Sequence, residues 1–293
     1  MLKRLLMVGA AVGVFSTGAL ANSSVPANGC PTFSPNALGA ITSALKTAIG
    51  QVQGNLGLGL NMWATLVAAD GTVCYVANSS GDAIQGQWLA SRVISAQKAF
   101  TAATLSLGPT SNSGSGTKLS RGALALSTAN LYSAVQPGGS LFGLATSNPV
   151  AADRAYGDTL TISGGVGANT GPTTTANYGT ANDPMIGQVI GGINVFGGGL
   201  ALYTAGGVKI GGLGVSGDTS CTDHLIAWHL RHNLGLDHLG TIAGVSGDTA
   251  HPDNIVFDIT NGVSASGWGH PACAGSSNGA ATTIAGALPP VSN

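Results

Sequence analysis

The stretch Gly197 to Gly217 reads "GGGLALYTAGGVKIGGLGVSG". Two runs of strand-forming residues, Leu200 to Tyr203 and Val208 to Val215, flank Ala205-Gly206-Gly207. Small residues that tolerate positive φ between two such runs signal a β-hairpin. The same arrangement occurs upstream in "LGLNMWATLVAADGTVCYVAN" (58–78), with Asp70-Gly71 at the tight turn. Hairpins set antiparallel strands side by side, whereas parallel strands need a long crossover. Working outward, "SPNALGAITSALKTAIGQVQG" (34–54) spaces Leu38, Ile41, Leu45, Ile49 and Val52 as one face of a helix, with Ser34 suited to cap it and Pro35 to open it. The run from Gln87 to Leu107 holds no breaker until Gly108-Pro109 and predicts a long helix. A further helix follows Gly217. The order helix, hairpin, helix, hairpin, helix specifies an α+β fold, an antiparallel sheet covered by helices, and excludes a doubly wound nucleotide-binding fold.

Between Pro109 and about Phe196 the composition shifts to clusters of Gly, Ser, Thr and Asn, interrupted by one expected helix, Arg121 to Val135. This reads as a loop-rich insertion (about 109–196) within a domain spanning 22–239, followed by a Gly-, Ser- and Pro-rich extension, 240–293. At the N-terminus, Lys3 and Arg4 precede an apolar run closing on Ala19-Leu20-Ala21, the pattern of a secretory signal over residues 1–21. No other window reaches the roughly 18 to 20 apolar residues of a membrane span. The expectation is a periplasmic or secreted product.

Only 7% of the 293 residues are charged, while glycine alone supplies 47. Without Lys3 and Arg4, ten basic residues become eight against eleven acidic ones, a formal charge of −3 with no basic cluster. Nucleic acid and anionic membranes are therefore excluded as expected partners. Four cysteines, Cys30, Cys74, Cys221 and Cys273, lie far apart with no CxxC or CxH spacing, so disulfides are expected over a metal cluster. Three connectivities are open. Cys30–Cys74 with Cys221–Cys273 is preferred because each bridge would tie a terminal segment to the domain.

The segments "VAADGTVCYV" (67–76), "SAQKAFTAAT" (95–104), "GGGLALY" (197–203) and "KIGGLGVSGDTSCTDHLIA" (209–227) occur in that order. In order and spacing they resemble the GlcG/HbpS family of haem-binding-like proteins, in an extended, secreted form. The likeness covers about half of the chain after the signal. It departs in the long insertion and in Leu200-Ala201, where the family pattern carries a proline step. The resemblance implies a profilin-like α+β fold, self-association into a homo-oligomer, and haem as a ligand; it assigns no haem ligand to a particular residue.

Four of the six histidines fall between His224 and His238. "HNLGLDH" (232–238) matches the second half of a zinc-protease signature, but position 228 is Trp and the general-base Glu is missing, so protease chemistry is excluded. Binding of a metal by His229, His232 and His238 without catalysis stays open. On a helical wheel Ile226, Ala227, Leu230 and Leu234 form an apolar stripe, and His224, Trp228 and Arg231 fall opposite it. Ser220 and Asp223 resemble a capping box. Haem needs an axial donor, apolar walls and a cation for its propionates. That requirement makes His224 the first candidate for haem iron, beside Trp228 and Arg231, with His229 and His232 next.

Ser216 sits in "GVSGD" and not in a nucleophile elbow, and no glycine run has the context of a phosphate-binding loop. The leading expectation is a non-enzymatic, small-ligand binding protein. The alternative is an enzyme or enzyme accessory acting on a small oxidised metabolite through Lys98, Asp218, Asp223 and His224. A third reading is a structural protein that assembles through its insertion.

Overall fold

The computed structural model describes residues 30, 36–53, 56–109, 123–156, 175–273 and 278–293. The expected signal (1–21), Ser34 and Pro35 lie outside them. The elements are α1 (Ala37–Val52), β1 (Trp63–Ala68), β2 (Val73–Asn78), α2 (Ser91–Leu105), α3 (Leu131–Ala134), α4 (Ala152–Tyr156), β3 (Gly199–Thr204), β4 (Val208–Ser216), α5 (Ser220–Asn233), the two-residue strands β5 (Ile259–Thr260) and β6 (Val263–Ser264), and α6 (Asn278–Gly286). Both expected hairpins form, and Gly71 takes φ +87° at the turn of the first. β1 and β4 pair across the centre, Trp63 opposite Ser216 and Ala68 opposite Gly211, giving a four-stranded antiparallel sheet in the order β2-β1-β4-β3. The fold is α+β, as the sequence predicts.

Strand alternation sorts the core into two layers. Ala64, Leu66, Leu200, Leu202, Leu213 and Val215 face α1 and α5. Trp63 and Val67 point the other way, onto Val93, Ala96, Ala99 and Ala103 of α2. On that second face Gly212 and Gly214 let the helix lie backbone to backbone on β4. A Cβ on Gly214 would stand 1.9 Å from the Ser95 carbonyl oxygen, and one on Gly212 2.3 Å from that of Ala99. Gly214→Ala is thus expected to destabilise the protein by about 1–3 kcal/mol, the usual cost of overpacking. Urea unfolding measures this; an unchanged midpoint would mean that α2 is free to move off the sheet.

No helix among the described residues is long and apolar enough to cross a membrane. Of the helix expected over Arg121 to Val135, Arg121 and Gly122 lie outside the described residues, and within the rest only Leu131–Ala134 is helical. Ahead of it, Leu124 bridges Leu107 on one side and Ala243 on the other, and the Ser127 amide bonds to the Asn130 side chain, so the backbone is spent on strand-like and turn contacts. Residues 178–194 wrap α2: Arg92 Nε donates to Asp183 Oδ2 at 2.9 Å, and the Asn194 amide to Thr101 Oγ1 at 2.9 Å. This covers the outer side of α2, Arg92 included.

Both preferred disulfides are present, Cys30–Cys74 and Cys221–Cys273, with Cα separations of 5.5 and 6.1 Å. The chain after β4 folds back over α5. Ile255, Ala281, Ala285 and Leu288 join the same apolar cluster as Leu225, Ile226 and Leu230.

Candidate functional site

Two groups of chemistry-bearing side chains lie at opposite ends of α5. The first gathers where β4 runs into the helix. Gly197, Gly198 and Gly199 thread between α2 and α5 with no room for side chains: a Cβ on Gly197 would stand 2.2 Å from the Ser220 carbonyl oxygen, and Gly198, at φ +117°, brings its own carbonyl within reach of the Val215 amide. Through this gap Lys98 of α2 reaches the start of α5. Its Nζ lies 2.7 Å from Asp223 Oδ2 and 3.0 Å from the Val215 carbonyl oxygen, over the ring of Phe196 at 4.6 Å. Asp223 Oδ1 accepts the Asp218 amide at 2.9 Å. Asp218 in turn accepts from the amides of Leu58, Leu60 and Thr219.

Lys98 and Asp223 are both sealed from solvent. Burial lowers the Lys98 ammonium below its ordinary value in spite of the carboxylate beside it. The same loss of water pushes the Asp223 carboxyl up to about 6, although Lys98 pulls against it. Desolvation therefore outweighs the mutual attraction on both sides of the pair, while the contact distance still favours the ionised form at neutral pH. Lys98 crosses the core. The set Lys98, Asp218, Asp223 and His224 does converge, but its members satisfy one another and the backbone.

The expected exposed face of α5 is corrected by the structure. His224, Trp228 and Arg231 are 0%, 1% and 0% exposed, because the chain around Asp253, Ile255 and Pro289 covers them. His224 Nε2 accepts the Ile255 amide at 3.1 Å, and its Nδ1 is buried without a partner. Burial, then the neighbouring His270, holds His224 down to about 3, so the ring is neutral. Trp228 Nε1 donates to the Pro289 carbonyl. Arg231 forms a two-pronged ion pair with Asp253, at 2.6 and 2.9 Å. As packed, His224 presents no exposed surface, and the Arg231 guanidinium is committed to Asp253. The cap is corrected as well: Thr219 is the N-cap and its side chain accepts the Thr222 amide, while Ser220 contacts Cys273 Sγ.

The second group lies in the last turn of α5 and the strand-like segment after it. His232 Nδ1 is 2.7 Å from Oδ2 of Asp237, a carboxylate 2% exposed, whereas the His232 side chain is 39% exposed. A carboxylate only accepts, so Nδ1 carries the proton and the Nε2 lone pair is directed away from Asp237. His229, one turn earlier, has a buried Nδ1 with no partner; burial and then His232 lower its pKa. His238 is drawn off to the Asn293 carbonyl. A cleft of 1130 Å³ runs between α1 and the 175–181 segment, past Lys46 and Asp82, and carries no histidine.

Sequence reasoning missed His270, Asp253 and Asp237. His270 stands three residues before Cys273, a spacing that was open to reading; nothing local marks Asp253 or Asp237 as partners of α5.

No family model and no curated protein matches the chain. Among solved structures it is similar to a PduOC–haem complex, at 21% identity with a TM-score of 0.39, over 69% of this chain and 94% of that one. It is also similar to Klebsiella pneumoniae protein ORFY, a DUF336 protein, at 20% identity with a TM-score of 0.37, over 67% and 88% of the two chains.

Proposed function

We propose that the protein is an exported, non-catalytic binding protein for haem or a related flat cofactor, with His232 as the axial donor. The observation that carries this reading is the His232–Asp237 pair. A part-exposed imidazole whose Nδ1–H is held by a buried carboxylate has its tautomer and ring orientation set before any ligand arrives. His229, beside it, offers a second imidazole. His224, Trp228 and Arg231 pass from the binding face to the packing of α5. A flat apolar ligand on so open a face needs walls from elsewhere, so self-association of two copies around it belongs to the same proposal. Export rests on the N-terminal pattern and is consistent with the two disulfides.

The test is a hemin titration of the oxidised chain from residue 22 onward, followed by absorption. A saturable, shifted Soret band is expected, with His232→Ala weakening binding about tenfold or more and Asp237→Asn by about 10- to 100-fold, the range for removing a partner that orients a ligand. His224→Ala should leave the spectrum of the complex unchanged. A featureless titration would end the reading, and loss of the band with His224→Ala alone would move the ligand back to the covered face.

A further inference from the structure

We propose that Cys221, His270 and Cys273 form a thiol-gated site for a thiophilic divalent cation, Zn²⁺ by ligand chemistry, which opens when the Cys221–Cys273 disulfide is reduced. The two sulfurs and one imidazole nitrogen of His270 lie within 4.8 Å of one another. Two thiolates and an imidazole around one point, with a fourth position left for water, are a donor set that suits Zn²⁺. Among the described residues no other cluster of at least three His, Cys, Asp or Glu ligand atoms meets this spacing.

The surroundings suit a thiolate once the disulfide is reduced. Cys273 Sγ already accepts the Cys221 amide at 3.1 Å and contacts Ser220 Oγ at 3.4 Å, at the amino end of the 14-residue helix α5. Amide donors and the helix dipole stabilise a thiolate there. The His270 ring is pinned between two backbone groups, with Nδ1 2.7 Å from the Pro271 carbonyl oxygen and Nε2 accepting the Gly197 amide at 3.4 Å. With Nδ1–H held by the Pro271 carbonyl, Nε2 carries the lone pair, and a metal would take it in place of the long Gly197 amide contact. Cys221 is fully buried, while Cys273 is only partly so, which gives a reductant its point of attack.

The chemistry balances with a dithiol as the reductant. One thiolate attacks Cys273 Sγ, the sulfur–sulfur bond breaks, and Cys221 leaves as a thiolate. The second thiol of the reductant displaces Cys273, so the dithiol is oxidised to a disulfide and two cysteine thiols result. Binding of Zn²⁺ then releases the two thiol protons. The site lies at the opposite end of α5 from His232, so this inference stands or falls independently of haem binding.

The experiment loads the chain from residue 22 onward with Zn²⁺ under anaerobic conditions, before and after phosphine reduction, and removes loose metal with a competing chelator. One Zn²⁺ per reduced chain and none per oxidised chain is expected. Cys30→Ser with Cys74→Ser should keep the site, His270→Ala should weaken it about tenfold or more, and Cys221→Ser with Cys273→Ser should abolish it. Because that last variant is able to fail by misfolding, Co²⁺ on the reduced wild type is the second reading. Thiolate-to-cobalt charge-transfer bands with tetrahedral visible bands support the site. Their absence, equal Zn²⁺ retention by oxidised and reduced protein, or a reduced chain that unfolds and does not refold with Zn²⁺ would overturn it.

Discussion

Lys98→Met is expected to destabilise the protein by about 3–5 kcal/mol at pH 7.5, the usual loss when one member of a buried ion pair is removed. The substitution keeps most of the apolar stem but leaves Asp223 in a fully buried place, with only the Asp218 amide on its Oδ1. The pH dependence identifies the cause. Asp223 has a folded-state pKa of about 6, above its ordinary 3.8. A group raised in the folded state adds stability that is complete below the unfolded value and is lost as pH rises through the folded one. Without Lys98 the force holding Asp223 down disappears, and the carboxyl rises further. The deficit of Lys98→Met should accordingly be larger at pH 7.5 than at pH 5, where the folded variant takes up a proton on Asp223. Adding Asp223→Asn should recover part of the loss, since the amide oxygen still accepts from Asp218 without carrying charge. Urea unfolding at both pH values measures all three chains. A deficit equal at pH 5 and 7.5 would show that the cost is lost packing and not a stranded carboxylate.

The α+β sheet was legible because its signals are local. Asp70-Gly71 and Ala205-Gly206-Gly207 each specify a turn, and turn chemistry fixes which strands are neighbours. The inner stripe of α5 was legible for the same reason, through the spacing of Ile226, Ala227, Leu230 and Leu234. Its second side was not. His224, Trp228 and Arg231 look like an exposed polar face until Asp253, Ile255 and Pro289 come back across it, and nothing local in the segment that carries them pairs it with α5. Helical periodicity marks the faces a helix offers, but a distant loop decides which of them water keeps. The expected Arg121–Val135 helix failed likewise, because Leu124 is claimed by Leu107 and Ala243, one 17 residues before it and one far beyond. His232 was legible as a candidate and Asp237 was not, although it lies only five residues on, since its role depends on the turn that closes α5.

Asp253→Ala is expected to cost a similar amount, about 3–5 kcal/mol, but with a different pH signature that follows from the chemistry of arginine. Arg231 is 0% exposed, and its two terminal nitrogens are held by the two oxygens of Asp253; beyond that pair it has the Ala201 carbonyl oxygen at 3.2 Å and the face of Trp228 at 4.7 Å. Remove the carboxylate and the guanidinium cannot shed its proton as a stranded lysine or aspartate can, because arginine stays charged throughout the range in which the protein is folded. The deficit of Asp253→Ala should therefore be nearly constant from pH 5 to 8. The opposite cut, Arg231→Leu, strands a carboxylate that can take a proton, so its deficit should shrink on acidification, as that of Lys98→Met does. The two variants also report on the cover. If the segment around Asp253 and Ile255 is held over α5 by this pair, Asp253→Ala should speed hydrogen exchange at the Ile255 amide, which is bonded to His224. Faster exchange there without loss of global stability would mean that the cover opens as a unit of its own, and wild-type exchange together with a wild-type urea midpoint would remove the pair as the clasp that closes the domain.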